Sequence, residues 1–138
     1  MRTDVEGRLD FRLTFSDVDL VQFFFANYFR WMDRALAELM DACDYPRASS
    51  ISERVGFPVV ESGCRYLEPA TVDQRLTVVA RFADMTERSF RVGYQFERDG
   101  VQLAEGFTQH VCVELDRMKA RSVPDAFRAE PATEGGAP

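Results

Sequence analysis

The sequence predicts an α+β fold: one long helix wrapped by a curling antiparallel sheet of five strands. Three observations carry that prediction. A single stretch of helical period, opening at Asn27, is flanked by segments that alternate with period two. Four of those segments follow one another after the helix, which favours antiparallel succession over helix-crossed parallel strands. Hydrophobic residues make up 46 % of the 138, with twelve Phe, enough to fill one core of single-domain size.

The elements follow in order. Residues 8–15 set Leu9, Phe11, Leu13 and Phe15 against Arg8, Asp10, Arg12 and Thr14, a half-buried strand. From Asn27, a reasonable N-cap, the stripe Tyr28, Met32, Ala35, Leu36 and Leu39 opposes Arg30, Asp33, Arg34, Glu38 and Asp41, giving a helix of about 15 residues. It stops before Asp44-Tyr45-Pro46, because the residue ahead of a proline resists helical geometry. Residues 44–57 read as a loop with room for a short helical turn. Strands then crowd together: 58–67, the run marked by Leu76, Val78, Ala80 and Phe82, and the run marked by Phe90, Val92, Tyr94 and Phe96. Asp99-Gly100 is a tight hairpin signal, and a long strand over 101–114 closes the sheet. Residues 1–127 are expected to form a single domain. The small, polar, Pro/Gly-rich tail 128–138 is expected to be disordered.

A single helix leaves one sheet face and both sheet edges uncovered, so a homodimer or homotetramer follows more naturally than a monomer. The net charge of −6 argues against a nucleic-acid surface, which needs a basic face. Cys43, Cys64 and Cys112 form no CxxC pair and are odd in number, which reads as free thiols in a reducing compartment. No run approaches the roughly 20 apolar residues that span a bilayer, and the first residues carry no apolar signal region. A cytoplasmic protein without membrane partners is the expectation.

Chemistry concentrates in FSDVDLVQFFFANYFRW, residues 15–31. Asp17 and Asp19 end the first strand, an aromatic turn follows, and the helix begins. Buried carboxylates are costly unless something uses them. The start of a helix presents backbone N–H groups and positive dipole to a developing oxyanion. A base or nucleophile beside an oxyanion site is the minimum arrangement for acyl transfer.

These residues resemble the hotdog-fold thioesterases of the 4-hydroxybenzoyl-CoA thioesterase and YbgC type. The likeness rests on F-x-D-x-D followed by N-Y-x-x-W, here Phe15, Asp17, Asp19, Asn27, Tyr28 and Trp31. It continues through Tyr66-Leu67-Glu68-Pro69-Ala70, through Arg88-Ser89-Phe90 and into residues 110–124, covering about 8 to 127. One departure stands out. Family members usually place a small-residue turn after the second aspartate, whereas this chain has Leu20-Val21-Gln22 and is one residue shorter there.

The resemblance implies a hotdog fold, sites near subunit interfaces, a dimer or dimer of dimers, and hydrolysis of an acyl-CoA or acyl-carrier-protein thioester with no metal or redox cofactor. It makes Asp19 the catalytic carboxylate, as nucleophile or as general base. It gives the backbone N–H of Phe25 the thioester oxygen. Phe23, Phe24 and Phe25 line an acyl pocket or simply join the core. Asn27 is a cap first and a substrate-binding residue second, while Asp17 is structural. Arg88 and Ser89 fall where the family meets the nucleotide end of CoA, and arginine suits a phosphate. Lys119 and Arg121 are lesser candidates for the same role. His110, the only histidine, reads as a packing or interface residue. The alternative is a non-hydrolytic binder of acyl thioesters. A dehydratase is disfavoured by the lack of a histidine near the helix start.

Overall fold

The computed structural model describes residues 1–19, 22–23 and 25–128, without the side chains of 18, 19, 22 and 23. The chain begins with β1 (Gly7–Arg12), a 3₁₀ turn (Phe15–Asp17), β2 (Val18–Asp19) and β3 (Gln22–Phe23). Two helices follow, α1 (Asn27–Ala42) and α2 (Arg47–Glu53). Then come β4 (Val55–Gly56), β5 (Val59–Tyr66), β6 (Arg75–Met85), β7 (Ser89–Arg98) and β8 (Val101–Val111). The described chain closes with β9 (Val113–Glu114), β10 (Lys119–Ala120) and α3 (Asp125–Arg128).

The main sheet is antiparallel and has five strands in the order β1-β6-β7-β8-β5, as expected in number and sense. After β5 the chain crosses the sheet and returns beside β1. Leu67 N and Glu68 N both donate to the Leu103 carbonyl, and Asp73 N donates to that of Leu13, so the crossing is pinned at each end. The β7–β8 hairpin turns at Asp99 (φ 50°) and Gly100 (φ 79°), the two left-handed residues that a tight hairpin requires.

Helix α1 lies chiefly over β1 and β6 and buries Tyr28, Trp31, Met32, Ala35, Leu36, Leu39 and Met40. Its apolar stripe is the predicted one. Two glycines permit the close approach. A Cβ on Gly7 would stand 2.3 Å from Leu39 N and 2.4 Å from the Ala35 oxygen. One on Gly106 would stand 2.2 Å from the Met32 methyl. Beneath the helix, Phe90, Val92, Tyr94 and Phe96 are all buried, confirming the alternation read for β7.

Three expectations need correction. The first strand ends at Arg12 rather than Phe15, and Phe15 is 83 % exposed instead of joining the core. The alternation is interrupted by a local competitor: Thr14 N donates to Asp17 Oδ2 at 2.9 Å and Asp17 N to the Thr14 carbonyl at 3.0 Å, closing a turn. Asn27 is not the N-cap. Ala26 holds that place with helical dihedrals, and no side chain caps the helix. Finally, the last strand stops at Val111, and Val113–Glu114 joins a separate small sheet with β4 and β10. The tail 129–138 lies outside the described residues.

Candidate active site

The Asp17–Asn27 segment is held by side chains at both ends. Asp17 Oδ2 accepts from Thr14 N at 2.9 Å and from Thr14 Oγ1 at 3.0 Å, the structural role expected of it. Asp19 follows on the short β2–β3 ladder, its backbone paired with Gln22. The Asp19 side chain, the turn residues Leu20 and Val21, and Phe24 lie outside the described residues.

Asn27 replaces capping with a tether. Its Nδ2 donates to the Asp17 carbonyl at 3.0 Å, and its Oδ1 accepts from Arg30 at 3.2 Å. The side chain therefore links Asp17 to Arg30 and caps none of the first-turn N–H groups. The first turn tightens instead through Tyr28 N to Phe25 O (3.3 Å) and Phe29 N to Ala26 O (3.2 Å). By this tether a buried amide (7 % exposed) draws the backbone two residues before Asp19 against the start of α1.

Phe25 forms the turn just ahead of α1 and is 59 % exposed, so the core role weighed for it does not hold. The Tyr66 hydroxyl, at the end of β5, donates to the Phe25 carbonyl at 3.0 Å, and the two rings meet edge to face at 6.5 Å. Burial and the neighbouring Cys64 push Tyr66 up to about 12, so it stays a proton donor at neutral pH. Tyr66 also packs edge-on against Tyr28 at 4.7 Å. Sequence reasoning missed this tether, although Tyr66 sat within the stretch that carried the resemblance.

Arg88 and Ser89 sit elsewhere. They belong to the β6–β7 hairpin, where Ser89 Oγ meets Thr86 Oγ1 at 2.6 Å and the exposed Arg88 accepts from Cys112 N through its carbonyl at 2.8 Å. Cross-strand register places Phe90 opposite His110, and His110 opposite Val59. The hairpin therefore shares the Val59 end of β5, while Phe25 shares the Tyr66 end. Seven residue steps separate those ends, about 23 Å at strand rise. Within one chain the candidates for chemistry and for nucleotide binding are not brought together. Arg121 is engaged locally through Nε to the Ser122 carbonyl at 2.9 Å, and Lys119 is exposed.

At the Val59 end lies a buried polar chain. His110 is 2 % exposed and stacks on Phe90 with ring centroids 4.8 Å apart and planes 11° apart. Its Nδ1 meets the Phe57 carbonyl at 2.9 Å and its Nε2 meets Thr108 Oγ1 at 2.7 Å, which in turn meets the Tyr94 hydroxyl at 2.8 Å. A carbonyl only accepts, so Nδ1 carries the proton and Nε2 accepts from Thr108. Tyr94 then donates to Thr108. Burial lowers the His110 pKa below its ordinary value, in keeping with a neutral ring, and raises that of Tyr94. The packing role expected of His110 holds. Polar Thr108 and His110 sharing one parity of β8, with Tyr94 on the apolar parity of the neighbouring strand, were the available signal for a hydrogen-bonded chain.

Among the described residues no three His, Cys, Asp or Glu gather as a metal site, all three cysteines are free thiols, and no helix is long and apolar enough to cross a membrane. Residues 13–130 match the model of the thioesterase-like superfamily. The chain belongs to that superfamily. It is an enzyme of the thioester-hydrolase class with a hotdog fold. The gentisyl-coenzyme A thioesterase BH1999 is 24 % identical, with 88 % of this chain and 99 % of that one covered and a TM-score of 0.81. The hypothetical protein TT1821 of Thermus thermophilus is 28 % identical, with 90 % and 94 % covered and a TM-score of 0.81. Slr0204, a 1,4-dihydroxy-2-naphthoyl-CoA thioesterase of Synechocystis, is 19 % identical, with 90 % and 93 % covered and a TM-score of 0.81. No curated protein matches the sequence significantly.

Proposed function

We propose that this superfamily member hydrolyses an acyl-CoA thioester, with an acyl-carrier-protein thioester as the other substrate form, and that it works in the cytoplasm as a homodimer or homotetramer. Asp19 attacks the thioester carbonyl or activates the water that does. The backbone N–H of Phe25 receives the developing oxyanion. Asn27 sets the aspartate-bearing backbone against the helix start, and Arg88 with Ser89 meets the nucleotide. The observation that carries this reading is the double tether: Asn27 to the Asp17 carbonyl and Tyr66 to the Phe25 carbonyl. Together they hold the backbone two residues before Asp19, and the end of β5, against the turn that opens the helix. Two of the similar proteins are named as thioesterases of aromatic acyl-CoAs, which favours CoA over a carrier protein.

The dimer we propose pairs β5 with β5 of a second copy. Val59 and Val60 are 52 % and 59 % exposed on this edge, beside an unpaired strand backbone. A two-fold axis centred on antiparallel β5 sets the Val59 end of one chain against the Tyr66 end of the other. Arg88 of one protomer then shares an end with Phe25 of its partner, which resolves their separation within one chain.

Thiol release from a panel of acyl-CoAs tests the chemistry. Asp19→Asn keeps shape but loses charge and basicity, so kcat should fall by ~10²-fold or more. Asp17→Asn should cost much less turnover. Equal, mild losses at both positions would show that the catalytic group is misassigned. Arg88→Ala should raise KM about ten- to a hundredfold for acyl-CoA, at 1.5–3 kcal/mol for a charge-assisted contact. It should leave acyl-pantetheine, which lacks the nucleotide, untouched.

A further inference from the structure

The β6–β7 hairpin that carries Arg88 is gripped by its carbonyls. The Arg128 guanidinium, on α3, donates from one nitrogen to the Thr86 carbonyl at 2.8 Å and to that of Glu87. Val123 N donates to the Glu87 carbonyl as well, at 2.9 Å, and Cys112 N to the Arg88 carbonyl at 2.8 Å. Three consecutive carbonyls are thus taken up by donors far along the chain. The hairpin also closes on itself: Thr86 N donates to the Ser89 carbonyl at 2.8 Å, and Ser89 N to Thr86 Oγ1 at 3.1 Å. A turn tied at each carbonyl gives up its backbone freedom before any ligand arrives. The exposed side chain of Arg88 is what remains to be aimed.

The clamp is itself anchored. Phe127, next to Arg128, is fully buried, with its ring 5.3 Å from that of Phe82 on β6 and 5.5 Å from that of Phe90 on β7. Those two strands are the legs of the hairpin. Arg2 N donates to the Phe127 carbonyl at 3.0 Å, tying the start of the chain to α3. A surface arginine ordinarily loses side-chain entropy in holding a partner. Here the packing of its neighbour has already fixed the helix that bears it.

An arginine that meets a phosphate binds it better when its backbone is set in advance, because ordering on binding subtracts from affinity. We propose that Arg128 is a positioning residue for nucleotide recognition: it holds the Thr86 and Glu87 carbonyls so that Arg88 projects toward the nucleotide, which Arg128 itself does not touch. This rests on the reading of Arg88 as the nucleotide contact. It needs no second chain, since every bond of the clamp lies within one protomer. A second cation on the nucleotide would add its own share of binding with or without Arg88. A residue that acts through Arg88 loses its effect once Arg88 is gone.

The test uses the full chain and reads Kd for CoA by titration calorimetry, which does not depend on turnover. KM and kcat for benzoyl-CoA and for S-benzoyl-pantetheine are measured beside it. Arg128→Ala should weaken CoA binding about three- to tenfold, the worth of one or two lost hydrogen bonds, and raise KM for benzoyl-CoA by the same factor. Its kcat should stay within about twofold, and S-benzoyl-pantetheine should be handled as by wild type. Arg128→Lys, which keeps donors on a similar stem, should recover most of the loss. Arg128→Gln keeps the stem but stops short of both carbonyls, and it replaces the alanine variant if that one does not fold. The deciding comparison is the double variant: Arg88→Ala with Arg128→Ala should bind CoA no more weakly than Arg88→Ala alone. Additive losses would make Arg128 a direct contact and overturn the positioning role. Wild-type CoA affinity in Arg128→Ala, with a lowered denaturant midpoint, would make the clamp structural alone and overturn it too. If Arg88→Ala itself binds CoA as wild type does, the nucleotide reading is what fails, and Arg128 has nothing to position.

Discussion

The two edges of the sheet differ in their exposed apolar residues, although Glu61 and Arg65 give β5 charges of its own. On β1, Arg8, Asp10 and Arg12 face outward, Arg8 pairs with Asp10 at 3.4 Å, Thr77 bonds Asp10, and Arg81 pairs with Glu6 from the adjoining strand. The other face of β1 is sealed by α1. On β5, Val59, Val60 and Tyr66, with Leu67 just beyond, stand 42–59 % exposed. Charged residues blunt an edge against pairing, and exposed β-branched residues invite it. The β1 edge is finished within the chain. The β5 edge is complete only against something else, and it carries the Tyr66 tether at one end and lies beside His110 at the other.

The largest expected effect comes from breaking the apolar edge. Val59→Lys with Val60→Lys should turn the assembly into ~16 kDa monomers by light scattering and lower thiol release by ~10²-fold or more, since each proposed site spans two chains. Paired outward lysines at the other margin, at Asp10 on β1 and its cross-strand neighbour Thr77 on β6, should change neither. A monomeric wild type, or a monomeric variant with full turnover, would remove the interfacial site from consideration.

Next comes the sealed side. Gly7→Ala forces a methyl onto the Ala35 and Leu39 backbone, where no side chain can swing away. Overpacking of this kind costs about 1–3 kcal/mol. Denaturant unfolding should show a midpoint shift of that size, and an unchanged midpoint would mean that β1 and α1 part easily.

Tyr66→Phe deletes one hydrogen bond to the Phe25 carbonyl and keeps the ring. The loss to stability should be about 0.5–1.5 kcal/mol. If the turn needs that tether to aim its N–H, turnover should drop further than KM rises. A change confined to stability would make Tyr66 structural alone.

The smallest effect is in pH. His110 has a folded pKa below its ordinary value because burial disfavours the charged ring. The unfolded chain therefore takes up a proton first as pH falls below about 6.5, and stability declines from there until the folded ring also titrates. Above that range the contribution is fully present. His110→Gln should flatten the slope between pH 7 and 5 in chemical unfolding, and a slope of unchanged steepness would assign the acid sensitivity to other groups.

Much of this was legible from residue order. The stripe Tyr28, Met32, Ala35, Leu36 and Leu39 and the alternation Phe90, Val92, Tyr94 and Phe96 both bury as read, because helical and strand periods are local properties of the chain. The hairpin at Asp99-Gly100 needed only two residues to declare itself. Two other local readings failed because a nearby polar group competed. Asp17 captured Thr14 and ended the strand early, and the Asp17 carbonyl captured the Asn27 amide and left α1 without its expected cap.

By itself, then, the sequence determined the element types, their order, the five-stranded antiparallel sheet and the stretch where chemistry concentrates. Tertiary structure decided which strands became edges. The crossing from β5 back to β1 put two strands that are distant in sequence at opposite margins, one lined outward by Arg8, Asp10 and Arg12 and the other exposing Val59, Val60 and Tyr66. It decided that Tyr66 reaches Phe25 across 41 residues of chain, and that His110 reaches Phe57 across 53. It also separated Arg88 from the helix start by the length of a strand. Such pairings depend on register between strands far apart in sequence, and register is set by how whole faces pack, which no local pattern records.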